Sequence, residues 1–175
     1  MGTIKQGILG GFSGKVGNIV GASWRGIDYI RSMPASVHNP RTEAQMTQRN
    51  RFSLVAKMLK AFIPIIRVGF ASSVGTGKSA FSVAMSYNVK NAVIGLYPDF
   101  EINFPLVKLT SGELYGAGNA SATSSGGSLD FVRDSDLLNN AAATDKVILM
   151  AFNPITGDAS YNMDAATRAD GSGSL

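Results

Sequence analysis

Cysteine is absent from the 175 residues, and histidine occurs once, at His38. The first absence excludes a disulfide scaffold, a thiolate zinc site and thiol catalysis together. The second leaves no histidine cluster for a metal and no obvious histidine-based triad. Long apolar runs are also missing. The longest, Ala61 to Ile66, contains Pro64 and sits between Lys60 and Arg67, so it cannot span a bilayer. The opening MGTIKQGILGGFSGKV is broken by glycine before it could form a signal-peptide core, and Gln6 stands where a myristoylation motif wants Ser or Thr. The expectation is a protein without a classical export signal, cytoplasmic or virion-associated by default, with non-classical export open.

Acidic residues are scarce in one half and basic residues in the other. Residues 1–90 hold twelve of the sixteen Lys/Arg but only Asp28 and Glu43 among the acids, a net +10. Residues 91–175 hold four Lys/Arg against ten Asp/Glu, a net −6. Such polarity suits a polyanion partner for the first half, head-to-tail attraction between copies, or simply two regions of different composition.

What is present changes character along the chain. Eight glycines precede residue 27, interleaved with Ile4, Ile8, Leu9, Phe12, Val16, Ile19 and Val20. Glycine at that density opposes a helix. The stretch GNIVGASWRGIDYIRSM reads as extended chain or a hairpin turning near Arg25-Gly26. Ile8, Leu9, Phe12, Val16, Ile19, Val20 and Trp24 are the candidate assembly surface of this arm. A long helix is then expected, capped by Asn39 with Pro40 in its first turn. Phe52, Val55, Leu59, Phe62 and Ile66 would form its apolar face, and Pro64 should kink or end it. Arg41, Arg49, Arg51, Lys57, Lys60 and Arg67 are candidate polyanion contacts in this region, although no aromatic or glycine-rich reading module accompanies them. A second helix is expected from Ala80 to Ile94, capped by Ser79 and ended by Gly95. After Pro98 the pattern turns to β: FEINF, PLVKL, SLDFV, KVILMAF and ASYNM are separated by turn-rich spacers such as GAGNASATSSGG and NPITGD. An antiparallel sheet or small sandwich fits.

One motif promises chemistry. SSVGTGKSAF ends like a phosphate-binding loop, but Ser72 stands where its first glycine belongs. The segment before it, IPIIRVGFAS, reads as helix rather than strand, and the best strand, KVILMAF, ends in Asn153-Pro154 rather than a carboxylate. A flexible turn with Ser79 as a helix cap is the better reading. Asp130, Asp134 and Asp136 crowd together, but lack the glycine and terminal glutamate of a calcium loop. No catalytic, cofactor or metal residue is assigned.

GTIKQGILGGFSGKVGNIVGASWRGIDYIRS, NPRTEAQ, AMSYNVKNAVIGLYPDF and ATDKVILMAFNP together resemble an uncharacterised family of Bacteroidota and their phages, recognised by a GILGGFSGKVGN-type block. The resemblance covers most of the chain and brings no catalytic residues. It implies an α+β fold: a glycine-rich arm and two helices over residues 1–97, then an antiparallel immunoglobulin-like or fibronectin-like β-domain over 98–175. Similar proteins continue beyond the point matching Leu175, so that domain is expected to lack closing strands. The functional expectation is a non-enzymatic structural protein whose partners are copies of itself. The alternative is a nucleic-acid-binding module on the basic half, with nucleotide binding a remote third.

Overall fold

The computed structural model of the protein describes residues 3, 4, 11–24, 26–75, 77–138 and 140–175. Over these described residues it is an α+β fold with three helices and several small antiparallel sheets. Two helices were expected; Pro64 makes them three. The first, α1, spans Glu43–Lys60, and α2 spans Ile63–Gly69 with Pro64 in its first turn. Proline lacks the N–H that would continue the ladder, so the chain breaks at Ala61-Phe62 and restarts. The start of α1 also differs. Thr42, not Asn39, is the cap, its Oγ1 accepting from Gln45 N at 3.4 Å. Arg41 has φ 51°, which a helix cannot accommodate, and Asn39 instead accepts from Arg49 Nη2 at 2.8 Å.

The third helix, α3, spans Ala80–Asn91 and begins at the expected cap: Ser79 Oγ accepts from Ser82 N at 3.1 Å. It stops earlier than the sequence suggested. Ala92 is its C-cap, and Val93–Leu96 is a strand paired with Asp99–Ile102. Gly95 therefore serves this hairpin, closed by a cis Tyr97–Pro98 peptide, rather than ending the helix.

The N-terminal arm is a meander. β1 (Thr3–Ile4), β2 (Phe12–Val16), β3 (Ile19–Trp24) and β4 (Ile27–Ser32) pair in that order, each antiparallel to the next. β3 and β4 form a hairpin whose last pair is Trp24 and Ile27, as the glycine pattern suggests; Arg25 itself lies outside the described residues. Continuing in chain order, β5 and β6 are the Val93–Leu96 and Asp99–Ile102 pair. Then come β7 (Ser121–Ser125), β8 (Ser128–Val132), β9 (Lys146–Phe152), β10 (Ala159–Thr167) and β11 (Ser172–Ser174). β8 is the centre of a sheet between β7 and β11, and β9 pairs with β10 through a register shift between Asn162 and Ala166.

PLVKL is not a strand. Pro105 starts a 3₁₀ turn at Phe104–Leu106, and Val107 and Leu109 follow in irregular chain, packed against the core. The spacer tract SATSS and the tail SGS are strands instead, as β7 and β11.

The core is built by the helices. Val55, Met58 and Leu59 of α1, Phe62, Ile65 and Ile66 around α2, Phe70, Ala84 and Met85 of α3, and Val93 are buried together. Half-buried residues from beyond position 98 pack onto the same cluster: Phe100, Ile102, Ile148, Phe152 and Ala159. Phe52, expected on the apolar face, is 55% exposed and stays outside the buried cluster. Gly69 lets the end of α2 press onto residues 109–111: Ser111 N donates to Gly69 O at 2.7 Å, and a Cβ there would collide with Thr110 and the Leu109 carbonyl.

Candidate functional site

The assembly surface expected on the arm begins with Ile8 and Leu9, which lie outside the described residues. The pairing register sorts the others onto two faces. Phe12, Val16 and Ile19 share one face with Ile30. Val20 and Trp24 share the other with Ala22, Ile27 and Tyr29. The Phe12 ring lies over Gly21, where any Cβ would strike it, and Gly21 is the one buried residue in β2–β4. Val16, Ile19, Trp24, Ile27, Tyr29 and Ile30 are all exposed. All six residues of β4 are exposed, although the strand alternates its side chains between the faces. Both faces of the meander are therefore open. Trp24 reaches the turn before α3: its ring comes within 3.4 Å of where a Cβ on Gly77 would sit.

That turn is the GTGKS segment. Its described part is a local bend: Lys78 N donates to Gly75 O at 3.0 Å, Gly77 has φ 77°, and Ser79 caps α3. The element before it is α2 and a 3₁₀ turn at Ala71–Ser73, not the buried strand that a phosphate loop springs from.

The six candidate polyanion contacts have separate surroundings. Arg41 precedes α1. Arg49 is held by Asn39. Arg51 is half-buried with its guanidinium 5.6 Å from the centre of the Phe100 ring, a cation–π distance. Lys57 edges a hollow of about 360 Å³ between α1, β6 and the end of β9, together with Phe100, Phe104 and Phe152. Lys60 is at the end of α1, and Arg67 lies beyond the break in α2. Next to the first hollow is a second, of about 400 Å³, lined by Phe62, Ile65, Val107, Leu109 and Ile148. The two share Met58, Phe104 and Phe152, and the Phe152 ring contacts both Phe62 (5.2 Å between centres) and Phe104 (6.0 Å).

The four cations of the acidic half, Lys108, Arg133, Lys146 and Arg168, all line one cleft of about 590 Å³. The sequence reading singled out none of them. Arg168 and Arg133 are each only 8% exposed. Arg168 donates to Tyr115 O (2.6 Å) and Asp136 O (3.2 Å) and lies 3.6 Å from Asp145. Arg133 donates to Thr167 O at 2.7 Å. These arginines thus tie irregular chain between strands to the β9–β10 hairpin. Lys146 pairs with Asp164 at 2.7 Å, and Lys108 stands 5.3 Å from the Tyr87 ring. No sequence signal marks these arginines: Arg133 is followed by Asp134 and Arg168 lies two residues before Asp170, as in an ordinary charged surface turn, and the carbonyls they bind are invisible in sequence. Of the crowded aspartates, Asp134 accepts from Asn119 at 2.7 Å. Among the described residues no group of three or more His, Cys, Asp or Glu is placed to hold a metal ion, and no helix is long and apolar enough to cross a membrane.

Asp170 has its carboxyl held below the usual aspartate range. The cause is first the Thr167 N–H, donating at 2.6 Å, then the Thr167 hydroxyl at 2.8 Å, with Arg133 adding a weaker attraction. This closes a capping box around the 3₁₀ turn Arg168–Asp170 and holds Arg168 toward the cleft.

A family of unknown function, DUF6266, matches residues 11–175, which include β2–β4 of the arm, α1–α3 and β5–β11. The chain belongs to this family. The DUF6266 match runs unbroken across the change from basic to acidic composition, so arm, helices and β-region recur together in one family unit. No curated protein and no solved structure matches the chain.

Proposed function

We propose that this DUF6266 protein is a non-enzymatic structural component that self-assembles through its N-terminal arm, its helices and its open β-edges, as part of a filament, a surface layer or a virion. One observation carries the reading: the meander β2–β4 has apolar side chains on both faces, and both faces are exposed. A small sheet of short strands draws its stability from a hydrophobic face that can pack against something. Contiguous exposed apolar surface on a protein of this size marks an interaction surface. A second copy is the partner that composition favours, since the basic half of one chain is complementary to the acidic half of another.

In the β-region, the placement of Gly173 of β11 against Leu149 of β9 and Ala166 of β10 supports an immunoglobulin-like reading of residues 98–175, with one sheet laid across another. Its outer strands, β7 among them, are then further open edges.

Size-exclusion chromatography with light scattering, run over a wide concentration range, tests assembly. A mass that rises with concentration is expected, and Trp24→Asp with Ile27→Asp should shift it toward monomer. A strict monomer at high concentration would sink the reading. Salt separates the contributions: charge-driven contacts weaken at high ionic strength, apolar ones do not.

A further inference from the structure

We propose that β4 of one copy pairs with β4 of a second, antiparallel and centred on Ile30, to join two arms into one continuous sheet. The inference rests on the self-assembly reading and names its partner strand and register.

β4 is the outermost strand of its sheet, and Ile30 at its middle is 67% exposed. Its inner edge is occupied by β3. Met33 N donates to Asn18 O at 2.7 Å, at the foot of the same ladder. Backbone groups alternate in direction along an antiparallel strand. Residues 29, 31 and 33 therefore turn toward β3, and Asp28, Ile30 and Ser32 turn their N–H and C=O groups outward. These are the groups a new strand would bond.

Two-fold symmetry restricts how β4 can meet itself. Opposed residues must lie on the same face of the joined sheet, so the axis passes through a residue, which then faces its own copy. Centring on Asp28 or Arg31 sets like charges directly opposite, which is destabilising. Centring on Tyr29 sets Asp28 against Ile30 and Arg31 against Ile27, each charge against an aliphatic side chain. Centring on Ile30 is different. Ile30 meets Ile30, Ile27 meets Met33, Asp28 meets Ser32, and Arg31 meets Tyr29 twice, once on each side of the axis. The last pair matches a guanidinium to an aromatic face. Ile27, Tyr29, Ile30 and Met33, all exposed in the single chain, each gain an apolar or aromatic-compatible neighbour in this register alone.

The chain holds no cysteine, so one introduced thiol per chain reports this geometry without background. In the proposed pairing the two Ile30 Cα atoms form a hydrogen-bonded pair, about 5.5 Å apart. That is within disulfide reach. Oxidation of Ile30→Cys should give a covalent dimer on a non-reducing gel at least tenfold faster than oxidation of Tyr29→Cys. Faster cross-linking at residue 29, or equal rates at both, overturns the register. Ile30→Pro is the second test. It removes an outward N–H without touching the β3 ladder, as edge positions tolerate. It should lower the mass seen by light scattering while the circular dichroism spectrum stays unchanged; an unaltered oligomer overturns the proposal. An oligomeric parent chain whose Ile30→Cys variant does not cross-link keeps self-assembly and discards this pairing, whereas a monomeric parent discards both.

Discussion

The side-chain amide of Asn88 pairs with the backbone of Lys108 as a neighbouring strand would: its Nδ2 donates to Lys108 O at 2.8 Å, and its Oδ1 accepts from Lys108 N at 2.9 Å. A third bond runs from Nδ2 to Ala84 O at 2.9 Å, and Asn88 is fully buried. A polar residue in the middle of α3 thus fastens the irregular segment after the 3₁₀ turn to the helical core. Asn88→Ala should cost about 2–4 kcal/mol, because it strands a part-buried N–H and C=O as well as removing the bonds. Urea unfolding followed by circular dichroism measures it. A loss below about 1 kcal/mol would mean that water replaces the amide.

The start of α3 makes a smaller, cleaner test. Ser79→Ala removes the cap on Ser82 N and should destabilise by about 1 kcal/mol, while Ser79→Asp should keep most of it. Equal losses in both variants would show that the hydroxyl acts through its contact with Ser82 Oγ and not as a cap.

Arg168 is expected to be the most costly substitution in the β-region. Arg168→Met leaves the Tyr115 and Asp136 carbonyls without their donor and Asp145 without its nearest cation. Removing one member of a buried, hydrogen-bonded charge group typically costs about 3–5 kcal/mol. Arg168→Lys should rescue little, since one ammonium cannot reach both carbonyls in the fork geometry. Thermal unfolding gives the loss. Hydrogen exchange should show faster exchange near 115–118 and 136–145, and a uniform change over the whole chain would contradict a local brace.

The depressed carboxyl of Asp170 predicts an acid-side effect. A group whose folded pKa lies below its unfolded one contributes stability that is fully present above the unfolded value and lost as pH falls through the folded value. Near neutrality the contribution is therefore complete, and it fades only on the acid side of the ordinary aspartate value of 3.8. Asp170→Asn should flatten that part of the stability profile and leave the slope above it unchanged. A carboxyl titration by nuclear magnetic resonance that places Asp170 at or above the ordinary value would refute the capping-box account.

Regular elements with strong side-chain signals were legible in sequence. The break at Pro64, the cap at Ser79, the β3–β4 hairpin and the limits of β8 and β9 follow from proline geometry, hydroxyl capping, glycine turns and branched apolar runs. The elements missed are those where tertiary context outweighs local preference. Val93–Leu96 is apolar enough to prolong α3, yet pairs with Asp99–Ile102 because a tight turn at Pro98 returns the chain. Ser121–Ser125 has only Thr123 to advertise a strand and is held by β8. Val107 and Leu109 look like an alternating strand but reach the core one at a time. Of the candidate site, the arm was readable from glycine spacing and apolar content. Its two-faced exposure was not, because exposure depends on what the rest of the chain leaves uncovered.

Trp24 is the sole tryptophan, and it sits against the turn at Gly77, away from the buried helical cluster. The protein therefore carries its own optical probe, placed on the seam between arm and body. Its emission will register the arm lifting, docking or meeting another chain, and can shift while the core stays folded. An unfolding curve read from that signal alone would mix release of the seam with loss of the core, so it needs a second probe beside it.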